Sequence, residues 1–154
     1  MTRIFFIILT ISVLSVLTIS SFGNSDLNKK IDNILRNYSE SSYKFGLQNS
    51  TNTWIVYYNS KPVFIISYGF YVSIFTSIKT YNTLSLDIAI KSLYTSGYYD
   101  SSYAEYGAFS IVESDDGIIL VYAVKINSID VSTKTLIHGI KEAAKAVDRF
   151  SKEF

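Results

Sequence analysis

The chain has 154 residues with 14 lysines and arginines against 13 aspartates and glutamates, a near-balance that leaves no electrostatic footprint for nucleic acid. It has no cysteine, which excludes a disulfide framework, a zinc–thiolate site, a lipid-modified cysteine and a thiol nucleophile together. With 48% of residues hydrophobic and 16% aromatic, stability must come from packing alone, and one domain of this size can bury a real core.

The first element in chain order is an uncharged run of nineteen residues, Ile4 to Phe22, preceded by Arg3 and followed by Gly23-Asn24-Ser25. A signal-peptide core takes roughly 7–15 apolar residues and a membrane-spanning helix about 20, so residues 1–23 read as a signal peptide or as a transmembrane anchor. Ser21 and Gly23 put small residues at the two positions a signal peptidase reads, with cleavage before Asn24; an uncleaved run would put residues 4–22 in contact with the membrane. Arg3 favours a cytoplasmic N-terminus, but Lys29, Lys30 and Arg36 follow closely, so the positive-inside count does not fix the orientation. The expectation is a secreted, extracytoplasmic or membrane-anchored domain, where the sequons Asn37-Tyr38-Ser39 and Asn49-Ser50-Thr51 would become relevant. Residues 24–154 read as a single domain, formally neutral once Arg3 is set aside, with thirteen basic and thirteen acidic side chains.

Ser25 is placed to cap a helix whose apolar residues Leu27, Ile31, Ile34, Leu35 and Tyr38 recur at three- and four-residue spacing. The polar stretch from Ser39 to Asn52, with Tyr43 to Leu47 inside it, reads as loop or as a short extra strand. Three β-type runs follow, Thr53 to Tyr58, Pro62 to Ser67 and Phe70 to Ser77, dense in β-branched and aromatic residues and broken by Asn59-Ser60-Lys61 and Gly69. Such short connections predict an antiparallel meander. Asn82 is placed to cap a second helix to about Thr95, with Leu86, Ala89, Ile90, Leu93 and Tyr94 inward. Gly107 to Glu113 and Ile118 to Lys125 are predicted strands joined around Asp115-Asp116-Gly117, since a short Asp-Gly turn between β-rich runs is a strong hairpin signal. Asp130 or Ser132 then opens a last helix to about Phe150, with Leu136, Ile140, Ala143, Val147 and Phe150 inward and Lys141, Glu142, Lys145 and Asp148 toward water. The predicted class is α+β in the order α-βββ-α-ββ-α, an antiparallel sheet with its helices packed on one face.

This element order, together with Ala89-Ile90-Lys91-Ser92-Leu93, Gly97, Gly107-Ala108-Phe109-Ser110-Ile111, the hairpin Asp116 to Val121 and Asp130 leading a helix with Asp148 near its end, resembles the YbjN-type family of sensory transduction regulators. The chain is also similar to that family's fold relatives, the type III secretion chaperones of the Tir-chaperone class. The resemblance covers roughly Asp26 to Phe154. It implies non-enzymatic protein binding, often with self-association, and carries over no catalytic residue. Unlike those chaperones, which are cytoplasmic and commonly acidic, this chain has an apolar N-terminal run and a neutral domain.

Candidate sites are few. His138, the sole histidine, lies between Ile137 and Gly139 on a helix, and there is no Gly-x-Ser-x-Gly turn, so a Ser-His-Asp arrangement lacks its nucleophile elbow. Glu113, Asp115 and Asp116 bring three carboxylates to one hairpin tip, but the spacing is not that of an EF-hand loop and turn chemistry accounts for Asp-Asp-Gly. No cofactor and no metal are expected. The segment holding Tyr94, Tyr98, Tyr99, Tyr103 and Tyr106 interleaves tyrosine with Ser96, Ser101 and Ser102, a composition suited to protein-binding loops, since tyrosine offers contact area with a polar tip at low entropic cost. The same rings could instead cover a sheet edge and the end of the second helix. Tyr57, Tyr58, Tyr68 and Tyr71 raise the related expectation of an aromatic sheet face. The sequence therefore points to a non-enzymatic protein-binding module with an unidentified protein partner and homodimerisation. Alternatives are a small-molecule or lipid carrier with an apolar pocket between sheet and helices, a structural surface or virion component, or an enzyme resting on Glu105, Glu113 or His138.

Overall fold

The computed structural model describes residues 24–81, 107–114 and 117–151. Helix α1 spans Ser25–Asn37, and strands follow as β1 Tyr43–Ser50, β2 Thr53–Tyr58, β3 Lys61–Ser67, β4 Tyr71–Tyr81, β5 Ala108–Ser114 and β6 Gly117–Asn127. A 3-10 turn, Ser128–Asp130, leads to helix α2, Thr133–Phe150. The architecture is α+β, a six-stranded antiparallel sheet in the order β1-β2-β3-β4-β6-β5. The helix expected over residues 82–95 lies outside the described residues.

Helix α1 is capped one residue earlier than expected, by Asn24 rather than Ser25: the Asn24 side-chain oxygen accepts from the amides of Asp26 at 3.1 Å and Leu27 at 3.4 Å. Its stripe is the predicted one, with Leu27, Ile31 and Leu35 buried. At α2, Ser132 rather than Asp130 is the cap; its hydroxyl accepts from the Thr135 amide while Thr135 Oγ1 accepts from the Ser132 amide, so two otherwise orphaned donors are satisfied.

The stretch 39–52 resolves in favour of the extra strand. β1 pairs with β2 from Tyr43↔Tyr58 to Ser50↔Thr53, with register shifts between Phe45 and Leu47 and between Gln48 and Ser50. A Cβ on Gly46 would lie 2.7 Å from the Ile55 carbonyl oxygen, so glycine permits the close backbone approach at the first shift. The β2–β3 hairpin turns on Asn59 and Ser60 at φ 50° and 63°, the left-handed pair that matches the twist of the flanking strands.

Alternation along the strands sends Trp54, Val56 and Tyr58, Val63 and Ile65, Val72, Ile74 and Ile78, and Leu120, Tyr122, Val124 and Ile126 into one core with both helices. A Cβ on Gly139 would lie 2.6 Å from Ile74 Cδ1, which shows how closely α2 sits on β4. The opposite face is apolar as well: Ile55, Phe64, Ile66, Ile119 and Val121 are all buried there, although neither described helix occupies it. A sheet buried on both faces explains why β3 and β6 read as unbroken apolar runs rather than alternating ones.

Candidate protein-binding surface

Two polar clasps fix the direction of α1 over the sheet. The Trp54 indole N–H donates to Asp32 Oδ1 at 3.1 Å, and Asp32 also holds Arg36 Nε at 2.8 Å, whose guanidinium lies 4.5 Å from the Phe45 ring centroid. Further along, the Tyr38 and Tyr58 hydroxyls both donate to the Glu40 carboxylate, the latter at 2.8 Å, and Lys141 Nζ of α2 pairs with it at 2.6 Å. Lys141 also sits 5.4 Å from the Tyr58 ring centroid. The Lys141 bond and the two tyrosine hydroxyls stabilise the ionised carboxylate and hold Glu40 down to about 2, while the same carboxylate raises Lys141 and, by accepting its hydroxyl proton, Tyr38. Desolvation pushes Tyr43 up; its hydroxyl donates to the Leu35 carbonyl at 2.6 Å. These contacts are architectural: they bind α1, the loop after it, β2 and α2 into one unit.

Since Asp32 meets the start of β2 and Tyr38 meets its end, α1 runs in the same sense as β2. Its first turn therefore lies at the end of the sheet that carries the β1–β2 turn, the β3–β4 turn and the β6–α2 connection. Those pieces are tied to each other: the Ser67 amide donates to the Asn52 carbonyl at 2.9 Å, Asn52 Nδ2 donates to the Ser67 carbonyl at 3.2 Å, and the Ser128 amide donates to the Phe70 carbonyl at 2.9 Å. The opposite end carries the Asn59-Ser60 turn, the β5–β6 hairpin and the last turn of α2, where Lys61 pairs with Asp148.

Of the residues singled out in the sequence, Tyr94, Tyr98, Tyr99, Tyr103 and Tyr106 lie outside the described residues, as do Glu105, Asp115 and Asp116. The segment that contains the five tyrosines joins the described chain at Gly107, immediately before β5. Among the described residues that strand forms one edge of the sheet and pairs with β6 alone. His138 is exposed on α2, remote in sequence and element from the β5 carboxylate Glu113. Tyr57 and Tyr58 go to opposite faces: Tyr58 is buried beneath the helices, so it is core, and Tyr57 is half-buried on the far face, where desolvation raises its hydroxyl. Tyr68 and Tyr71 stack with centroids 4.9 Å apart, and Lys125 lies 5.2 Å from the Tyr71 centroid. Among the described residues no group of three or more His, Asp or Glu side chains is placed to hold a metal ion.

Two features went unanticipated. Glu40 and Lys141 stand apart in sequence with no periodicity to link them. Phe70, expected to start a strand, sits instead in the β3–β4 turn, 88% exposed, and Ile129 in the 3-10 turn is also 88% exposed. No family model matches the chain, and no curated protein matches it.

Proposed function

We propose that this chain is a non-enzymatic protein-binding module of the YbjN-like kind, exported or tethered to a membrane through residues 4–22, which engages a protein partner and a second copy of itself. The observation that carries this reading is the position of β5: an edge strand of seven residues, with no described strand on its outer side, entered directly from the tyrosine-rich segment. An unpaired edge offers a row of backbone donors and acceptors to an added strand, and adjoining tyrosines would supply side-chain contact area to the same partner. The described polar clusters are consistent with it, because Glu40, Asp32 and Lys141 are committed to holding helices on the sheet.

The test is Tyr98→Ala combined with Tyr99→Ala in the full chain, read by partner capture after mild crosslinking and by thermal unfolding. Weakened capture with a nearly unchanged midpoint supports the reading. A large fall in the midpoint would assign those rings to the core. A small molecule copurifying in native mass spectrometry, with no protein captured, would replace the binding module by the carrier.

A further inference from the structure

Among the described residues three large hydrophobic side chains are exposed, Leu47, Phe70 and Ile129, and the two most exposed share one end of the sheet. They are not independent. The Ser128 amide, next to Ile129, donates to the Phe70 carbonyl at 2.9 Å, so the β3–β4 turn and the β6–α2 connection form one tip. Gly69, at φ 84°, gives the turn the left-handed residue that puts Phe70 at its apex. Behind the tip stand the stacked rings of Tyr68 and Tyr71 with Lys125 over the latter. Single exposed apolar residues are ordinary on a soluble surface, but two that share a tip with aromatic rings at its base form a shape suited to an apolar medium.

The first turn of α1 emerges at this same end, as the Asp32–Trp54 and Tyr38–Glu40–Tyr58 contacts require. Only Gly23 and Asn24 separate Phe22, the last residue of the uncharged run, from Ser25. Three backbone steps span at most about 11 Å. A bilayer that held residues 4–22 would therefore lie within that distance of the α1 N-terminus. With the Asp32–Arg36 ion pair neutral as a unit, the charged residues toward this end are Lys29, Lys30, Lys125 and Lys134 against Asp26 and Asp130, an excess of positive charge that suits anionic headgroups.

We infer that this end of the sheet docks onto the lipid surface, with Phe70 and Ile129 inserted at the headgroup boundary. The inference rests on reading residues 4–22 as an uncleaved anchor, and it adds an orientation: the sheet stands on the membrane with its β2–β3 and β5–β6 hairpins farthest from it.

Because the chain has no cysteine, single-cysteine labelling is clean. The full chain carrying Phe70→Cys, Ile129→Cys or, as the control at the opposite end, Ser39→Cys is labelled with an environment-sensitive fluorophore. Each is reconstituted into vesicles of phosphatidylcholine and phosphatidylglycerol, with and without lipids bearing a nitroxide near the headgroup. All three sites are exposed, so labelling leaves the core intact. Carbonate-resistant flotation is measured on the same samples. Flotation with blue-shifted, strongly quenched emission at 70 and 129 but not at 39 is the expected result. Flotation with equal quenching at the three sites overturns the docking and leaves the anchor standing; failure to float overturns both.

Discussion

Trp54 is the one tryptophan in the chain, fully buried, and its indole N–H makes one of the two polar clasps that hold α1 on the sheet. Trp54→Phe removes two ring carbons from the core, worth about 1.6 kcal/mol at ~0.8 kcal/mol per buried carbon group. It also removes a hydrogen bond to a carboxylate. That bond belongs near the lower end of the usual range, about 1.5 kcal/mol, because the Asp32 side chain is 29% exposed and keeps Arg36. The expected loss is about 3 kcal/mol, or roughly 10 °C in midpoint for a domain of this size. Urea unfolding of the full chain in mild detergent, followed by far-ultraviolet circular dichroism, measures it without the lost fluorophore. Asp32→Asn is the companion: it keeps an oxygen for the indole and gives up an exposed ion pair, so it should cost under about 1 kcal/mol. If Trp54→Phe lost less than about 1 kcal/mol, the reasoning that places this indole at a tightly packed helix–sheet contact would be wrong.

Glu40→Gln should alter the acid limb of stability. With the folded carboxyl at about 2 against an ordinary 4.5, its contribution is fully present above about pH 4.5 and is lost as the pH falls toward 2. The variant should therefore lose stability less steeply than the parent across that window, and midpoints recorded at successive pH values check this; parallel curves would show that the cluster contributes nothing. Gly139→Val puts branched bulk where a Cβ already meets Ile74 Cδ1 at 2.6 Å and has Ile126 and Val124 within 3.6 Å, so it should cost about 1–3 kcal/mol. Gly139→Ala should cost less, because a gain in helix propensity of about 1 kcal/mol offsets the smaller clash; a valine variant as stable as the parent would show that α2 is not seated on β4.

What the sequence made legible follows from which interactions are local. The stripes Leu27-Ile31-Leu35 and Leu136-Ile140-Ala143 repeat at helical spacing, and the bounds of β2 coincide with the apolar run Thr53 to Tyr58. β1 was ambiguous for a physical reason: an edge strand with Gly46 and mostly polar neighbours buries little, so no alternation marks it. Alternation also shows that adjacent Tyr57 and Tyr58 cannot share a face, which makes Tyr58 core and weakens any account in which both rings bind a partner. Glu40 was invisible because its partners, Tyr58 on β2 and Lys141 on α2, meet it only through the tertiary fold. Phe70 looked like strand because its composition is strand-like; Gly69 at positive φ turns the chain there and leaves the ring outside.

The two ends of the sheet now carry different chemistry, and that difference bears on how the proposed roles fit together. β4 and β6 pair without interruption of direction from Tyr71↔Asn127 to Tyr81↔Ile118. Asn127 is nine residue steps along the strand from Ile118, about 30 Å at ~3.3 Å per residue. The tyrosine-rich segment leaves the sheet after Tyr81, at the far end, and rejoins it before Ala108, which pairs with Ala123 four residues short of Asn127. Both of its attachment points are thus displaced from the Phe70–Ile129 tip. A chain that stood on a bilayer through that tip would present the β5 edge at the side of the sheet rather than at the end facing the headgroups. Lipid docking and protein binding then use different surfaces of one sheet, an end and a lateral edge, so Phe70→Cys and Ile129→Cys should leave partner capture intact while the Tyr98→Ala, Tyr99→Ala pair should leave lipid quenching intact. Loss of both properties in either variant would mean that the two surfaces are one.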